Sequence, residues 1–181
     1  TRIRLKYAKG PSLRFTGHLD MQYIWERLLR RSGLPIRYSQ GFNPRARLNL
    51  ASALPLGVIS EAEMLDFWMD EPLPAEDVLK RLVVCAPPGL DIQHVEIVSL
   101  QEKALQERMS ASEYQITFYD SQQQDELEEK VAVLMTAEHL TRVRRGKTYD
   151  LRPLILDLKV TYADDGEIGL WIRLNAEPSE T

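Results

Sequence analysis

Two polar residues near the start of the chain have types and spacing suited to chemistry. His18 and Asp20 could supply an acid–base pair or two metal ligands. In one alternative, His18 is the base of a metal-independent ribonuclease and an arginine stabilises the phosphate in the transition state. In the other, the pair forms a helix entrance, with Asp20 complementing the helix dipole and His18 contacting a neighbouring loop. The sequence leaves both roles open.

Arginines accumulate around this pair without matching acids. Residues 1–50 hold eleven Lys and Arg against two acids, whereas the remainder holds twelve against 25. Three of the arginines, Arg27, Arg30 and Arg31, have the spacing of one helix face. A solvated charged face is the ordinary explanation. The segregated charge and the bidentate geometry of guanidinium favour a surface for a polyanion, with RNA as the expected partner.

The loop that follows the predicted helix has a composition too specific for a plain connection. In residues 39–45, Gly41 permits a backbone conformation that other residues resist, and Pro44 holds Asn43 extended. Phe42 either anchors the loop in the core, the commoner role, or offers a ring on which a base stacks. The residues expected to contact RNA are Arg14, Arg27, Arg30, Arg31, Ser39, Gln40, Phe42, Asn43, Arg45 and Arg47.

The elements that position these residues follow from the apolar pattern. Arg2 to Tyr7 alternates as a half-buried strand whose outer face carries Arg2, Arg4 and Lys6. Thr16 is predicted to cap a helix that Gly33 ends. Further strands are predicted over 36–38, 48–54, 60–69 and 90–100, and a second helix over 75–85. This βαββαβ order is typical of a ferredoxin-like unit, with helices on one face of an antiparallel sheet.

A second series begins at residue 112. The pattern predicts strands over 114–119, 139–145, 148–151, 154–162 and 168–174, with a helix over 123–137 and turns at Gly146-Lys147 and Asp164-Asp165-Gly166. We therefore predict an α+β fold of two tandem ferredoxin-like halves. Residues 1–100 form the first half, 101–111 a polar connector, and 112–181 a second, curtailed half.

Composition and motifs exclude several classes of protein. The net charge is -4, 44% of the residues are hydrophobic, and no apolar run approaches the roughly 20 residues that span a bilayer. The one cysteine, Cys85, excludes an internal disulfide and a cysteine-ligated cluster, and we expect it to be buried in a cytoplasmic protein. His18, His94 and His139 are far apart and lack metal-site spacing. We expect no metal and no cofactor in this chain.

Two long motifs carry a resemblance to a known family. Residues 18–66, from HLDMQYIWERLLRR through SQGFNPRARLNL to EAEMLD, resemble the bacterial radical-SAM-linked family DUF2344, and RRGKTYDLRPLI at 144–155 resembles its second motif. The resemblance implies a domain that follows, or is encoded beside, a B12-binding radical SAM enzyme, which agrees with a start at Thr1 rather than Met. The family has no assigned reaction, so it implies no catalytic residues.

The expected function is therefore a non-catalytic RNA-binding accessory domain, which presents tRNA or rRNA to a radical SAM modification enzyme in cis or in trans. A looser similarity of fold pattern links the chain to tandem ferredoxin-like endoribonucleases, although their Gly-rich loop near the C-terminus is missing. This leaves two alternatives. One is a metal-independent ribonuclease with His18 as base, and the other is a docking domain whose basic face meets the enzyme.

Overall fold

The computed structural model describes residues 1–162 and 167–177. The chain divides into two compact units, Thr1–Arg108 and Met109–Thr181. Both combine a helix-bearing layer with antiparallel strands, so the predicted α+β class is confirmed. The turn predicted at Asp164-Asp165-Gly166 lies outside the described residues. None of the described helices is long and apolar enough to cross a membrane.

The first unit has the predicted order of elements. They are β1 (Arg2–Lys9), α1 (His18–Arg31), β2 (Leu48–Leu50), β3 (Ser60–Trp68), α2 (Ala75–Cys85), β4 (Leu90–Val98) and the short α3 (Leu105–Arg108). The strands form one sheet in the order β2-β3-β1-β4, and all neighbours are antiparallel. That order is the one expected of a ferredoxin-like βαββαβ unit.

One face of this sheet carries the hydrophobic core. Ile3 and Leu5 of β1 are fully buried, as are Trp25, Leu28 and Leu29 of α1. Their positions follow the two-residue period of a strand and the three- and four-residue spacing of a helix. Burying each such side chain contributes about 1.5–3 kcal/mol. These buried side chains therefore hold α1 on the sheet.

The other face of the sheet differs from the prediction of an exposed, positively charged surface. Arg2 and Arg4 are 4% and 2% exposed, and Asp66 on β3 is 1% exposed. Arg2 Nε donates to Asp66 Oδ2 (2.8 Å) and Arg4 Nε donates to Asp66 Oδ1 (2.9 Å). Arg4 Nη1 also donates to Glu102 Oε1 (2.9 Å). We call these four residues the buried arginine cluster; pairing is required because an uncompensated buried charge costs several kcal/mol.

The segment after β4 covers this cluster. Arg2 donates through Nη1 to the Glu102 carbonyl (2.5 Å) and through Nη2 to the Lys103 carbonyl (2.9 Å). Leu105 is 3% exposed, and Gln106 Nε2 donates to the Leu50 carbonyl (2.5 Å). Residues 101–108, predicted as the larger part of a connector, are therefore packed in the first unit.

Local details of the first unit also differ from the sequence prediction. Thr16 does not cap α1: its hydroxyl donates to the Leu13 carbonyl (2.6 Å), and Gly17 occupies the N-cap position. The predicted strand at 36–38 contributes only isolated bridges, Ile36 with Met69 and Tyr38 with Ala46. Cys85, predicted to be buried, is half-buried at the end of α2.

The second unit repeats part of the first. It contains β5 (Ala111–Thr117), α4 (Gln124–Thr136), β6 (Thr141–Arg144), β7 (Lys147–Asp150), β8 (Ile155–Tyr162) and β9 (Ile168–Asn175). Its main sheet has the order β5-β9-β8, and α4 packs on β8. Strands β8, β9 and β5 thus occupy the places that β2, β3 and β1 hold in the first unit. The β6–β7 hairpin is a separate pair inserted between α4 and β8.

Candidate nucleic-acid interface

The exposed side of α1 carries one aromatic and two basic residues in a row. Tyr23, Arg27 and Arg30 lie at i, i+4 and i+7, so they share one face of the helix. Tyr23 is 45% exposed, and both arginines are exposed. Arg31, predicted to join them, is engaged elsewhere, since its Nη2 donates to the Cys85 carbonyl at the end of α2 (2.6 Å). Two of the three predicted helix arginines therefore share this face.

Arg45 connects the loop after α1 to this face. Its guanidinium carbon lies 5.7 Å from the centre of the Tyr23 ring, within the range of a cation–π contact. The backbone around it is fixed, because Ser39 N donates to the Arg45 carbonyl (2.8 Å) and Arg45 N donates to Ser39 Oγ (3.0 Å). We call Tyr23, Arg27, Arg30 and Arg45 the arginine–tyrosine face. Ser39, predicted as a ligand contact, also closes the loop.

The tip of the same loop presents an aromatic ring to solvent. Phe42 is fully exposed, and Gly41 before it has a φ of 143°, a conformation that favours glycine. The interpretation of Phe42 as a core anchor is therefore wrong. Gln40 and Asn43 on either side are exposed as well. A ring in this position contributes nothing to the core and is free to stack on a planar ligand.

A groove runs along the base of the loop. It has a volume of about 960 Å³, and arginines 37, 45 and 47 line it together with Ser39 and Gln40. Arg37 Nε donates to Asp70 Oδ1 (2.7 Å). The guanidinium carbon of Arg47 lies 4.4 Å from the ring centre of Trp68, which is a cation–π contact. Arginines fixed in this way keep their outward N–H groups available for phosphate oxygens.

Arg14 lies apart from these contacts. It donates through Nε to the Gly57 carbonyl (2.9 Å) and stacks on Phe15, which is 78% exposed (5.6 Å). The predicted arginines are thus divided among several places. Arg27 and Arg30 share a helix face with Tyr23, which Arg45 contacts. Arg45 and Arg47 line the groove, whereas Arg14 and Arg31 bind backbone carbonyls elsewhere.

His18 and Asp20 have different surroundings. Asp20 Oδ2 accepts a hydrogen bond from the backbone N of Gly17 (3.0 Å), which is a capping role at the start of α1. His18 is half-buried and lines a small cavity of about 10 Å³ with Lys9 and Glu63. A cavity of that size holds about one water molecule. It has no room for a ribose phosphate.

The prediction from the sequence did not include the two ionisable groups of this cavity, Lys9, which is buried, and Glu63, which is half-buried. Lys9 is 1% exposed and donates through Nζ to the Thr16 carbonyl (2.9 Å). Burial lowers the pKa of Lys9 and raises the pKa of Glu63, and each charge opposes the shift of the other. In residues 1–162 and 167–177, no three His, Cys, Asp or Glu are arranged to hold a metal ion. Lys9 continues the alternation of β1 on its buried side, and this position was the indication in the sequence that Lys9 is buried.

Taken together, the fold and the surface define a two-unit α+β protein whose first unit exposes arginines against aromatic rings. The chain belongs to the family described as uncharacterized protein conserved in bacteria, DUF2344, whose pattern matches residues 2–179. The resemblance of the two sequence motifs to this family is thereby confirmed. No curated protein matches the chain.

Proposed function

We propose that the first unit binds RNA in an unpaired conformation. In this proposal the protein is a non-catalytic accessory domain that presents tRNA or rRNA to a radical SAM modification enzyme. The observation that carries the RNA-binding part is the contact of Arg45 with Tyr23 beside Arg27 and Arg30. The enzyme as partner rests on the resemblance of the sequence motifs to the radical-SAM-linked family.

The chemistry of the surface favours an unpaired strand over a duplex. Guanidinium groups bind phosphates of any nucleic acid, but exposed rings such as Phe42 and Tyr23 need a base that is not already stacked on both sides. Stacking of this kind contributes about 1–3 kcal/mol per base. In this proposal, arginines on the face and in the groove hold the phosphates, and Phe42 receives a splayed base.

Binding is better supported than cleavage. A ribonuclease that uses His18 as base requires the scissile phosphate to reach the imidazole. The cavity beside His18 has a volume of about 10 Å³, and Asp20 is engaged in capping α1. This geometry supports a structural role for the pair better than a role in cleavage.

Salt-dependent binding of a labelled RNA tests the proposal. Fluorescence anisotropy of a 20-nucleotide unstructured RNA is measured from 50 to 300 mM salt for the wild type and for Arg27→Gln/Arg30→Gln. Each lost phosphate contact reduces the slope of log K against log salt by about 0.7, so the double variant is expected to lose about 1.4. Lys80→Gln/Lys103→Gln, which removes two exposed charges from the same unit, is the matched control and is expected to bind like the wild type.

Two outcomes contradict RNA binding by the first unit. One is an absence of binding by the wild type at 50 mM salt, and the other is an equal effect of the face variant and the control. The same incubations, run on a denaturing gel, examine the ribonuclease alternative, which requires cleavage that His18→Ala removes. If the face variant instead loses co-purification with a radical SAM protein while RNA binding is absent, the surface is a docking site for protein.

A further inference from the structure

The β6–β7 hairpin of the second unit concentrates positive charge on one of its two faces. The strand register pairs Arg142 with Tyr149 and Arg144 with Lys147. Because side chains alternate between the faces of a strand, these four residues lie on the same side of the hairpin. The opposite side carries Val143 and its partner Thr148. One side of the hairpin thus combines three cations and an aromatic ring.

The turn of the hairpin adds a fourth cation in an unusual conformation. Arg145 and Gly146 have φ values of 51° and 77°, the positive pair required by a two-residue type I′ turn. Asn, Asp and Gly are the residues that favour the first position. Arginine is disfavoured there by about 1–2 kcal/mol. The tip therefore carries an arginine where Asn, Asp or Gly would make the turn more stable.

These cations are uncompensated in the described structure. Arg142, Arg144, Arg145 and Lys147, which we call the basic hairpin, are all exposed, and none forms a salt bridge with a described residue. Three other cations of the same unit are paired with acids. The pairs are Lys130 with Glu126 (2.6 Å), Lys159 with Asp157 (2.6 Å) and Arg173 with Glu113 (3.8 Å).

The base of the hairpin is fixed although both of its faces are open to solvent. Asp150 Oδ1 accepts hydrogen bonds from Leu140 N (2.8 Å) and Arg152 N (3.0 Å), and Asp150 Oδ2 accepts one from His139 Nδ1 (2.8 Å). The His139 bond, followed by the two backbone bonds, lowers the pKa of Asp150 to about 2. A two-stranded hairpin is marginally stable alone, so this anchor holds it in place.

We propose that the basic hairpin is a second RNA-binding element, which contacts the phosphates of an unpaired strand while Tyr149 stacks on a base. The inference rests on the geometry of the second unit and does not require the first-unit surface to bind RNA. Uncompensated cations on one side are complementary to a continuous row of phosphates. Tyr149, 39% exposed among these cations, favours nucleic acid over an acidic protein, since only the former offers bases for stacking.

The experiment compares two triple variants of the full chain with equal loss of charge. Arg142→Gln/Arg144→Gln/Lys147→Gln removes the cations of the hairpin face. Lys130→Gln/Lys159→Gln/Arg173→Gln is the control and removes three cations of the same unit that are already paired. Binding of labelled 20-nucleotide oligouridylate is measured at 0.1 M salt and across a salt series, after circular dichroism shows that each variant is folded.

The hairpin variant is expected to bind at least about 10-fold more weakly than the wild type, with a salt slope reduced by about 2, whereas the control stays within about twofold. Equal affinities of the two triple variants would overturn the inference. So would displacement of the RNA by a poly-glutamate peptide as effectively as by unlabelled oligouridylate.

The first-unit and hairpin proposals can fail separately. If Arg27→Gln/Arg30→Gln weakens RNA binding and the hairpin variant does not, the hairpin inference is overturned and the proposed function stands. If only the hairpin variant weakens binding, the inference stands and the first-unit surface is not the RNA site. A crosslink from 5-iodouridine in the RNA to Tyr149, located by mass spectrometry, supports the hairpin contact directly.

Discussion

Two pairs of arginines within the first fifty residues differ in their exposure to solvent. Arg2 and Arg4 on β1 are almost completely buried and share Asp66, whereas Arg27 and Arg30 on α1 remain exposed. The difference arises from strand pairing, because β3 runs beside β1 and places Asp66 directly opposite Arg4. Whether an arginine is buried or exposed therefore depends on a partner distant in the sequence, here Asp66, and not on its own charge.

The largest loss of stability is expected when the carboxylate that the two buried arginines share is removed. Asp66→Ala leaves two buried guanidinium groups without their common partner, and the free energy of unfolding is expected to fall by about 3–5 kcal/mol. Urea denaturation followed by circular dichroism measures the change. A loss below about 1 kcal/mol would show that the cluster relaxes into solvent and is no different from a surface pair.

Replacing Glu102 measures how much the partly exposed end of the buried arginine cluster contributes to stability. Glu102 accepts a hydrogen bond from Arg4 Nη1 and is paired with Arg108, but its side chain is 30% exposed. Water screens such a pair in part, so Glu102→Gln is expected to reduce the free energy of unfolding by about 1 kcal/mol. Glu107→Gln, an exposed change on the same segment, is the control and is expected to stay within about 0.5 kcal/mol. Equal effects in urea denaturation would argue against a role for Glu102.

Replacing the exposed arginines of α1 is expected to leave the stability of the protein almost unchanged. Arg27→Gln/Arg30→Gln removes two exposed charges whose side chains form no hydrogen bond or salt bridge with the described residues, so the free energy of unfolding is expected to stay within about 0.5 kcal/mol of the wild type. Thermal melting of the same sample used for RNA binding checks it. If stability falls as much as in Asp66→Ala, a weakened RNA affinity would no longer identify a binding surface.

Asp150 allows the effect of hydrogen bonds on a pKa to be measured without the effect of burial, because three hydrogen bonds hold its carboxylate although it is not buried. The pKa of Asp150 in the folded protein is about 2, below the ordinary value of 3.8. The stabilisation that these bonds give is therefore fully present above about pH 4 and disappears as the pH falls through about 2. The amide chemical shifts of Leu140 and Arg152 are expected to titrate together near pH 2. Asp150→Asn removes this titration; titration near pH 4 would contradict the prediction.

The sequence predicted the elements whose periods are long and regular. The alternation in β1 placed its apolar residues in the core correctly, because burial on one face imposes that period. The three- and four-residue spacing in α1 did the same for Met21, Trp25, Leu28 and Leu29, but it wrongly included Leu19, which is 67% exposed. The alternation was also the source of an error. It cannot distinguish a polar face that meets solvent from one that a later segment covers, and so Arg2 and Arg4 were assigned to the surface.

The candidate site was predictable as a set of residues but not as an arrangement. Arg45 contacts Tyr23 across twenty-two residues, and no local pattern indicates that contact. Asp20 was foreseen at a helix entrance, whereas the cavity formed by Lys9 and Glu63 depends on the pairing of β1 with β3. The hairpin cations were visible in the sequence, but their common face required the register of β6 and β7.

The segment that covers the buried arginine cluster bears on how this protein can be divided or exchanged. A fragment ending at Leu100, the natural cut after β4, would strip Arg2 of its two carbonyl acceptors and Arg4 of Glu102. A fragment ending at Arg108 keeps every one of these bonds. A crossover between residues 100 and 108 would therefore separate these partners, whereas one after Arg108 would keep them together, so the folding module is longer than its ferredoxin-like outline.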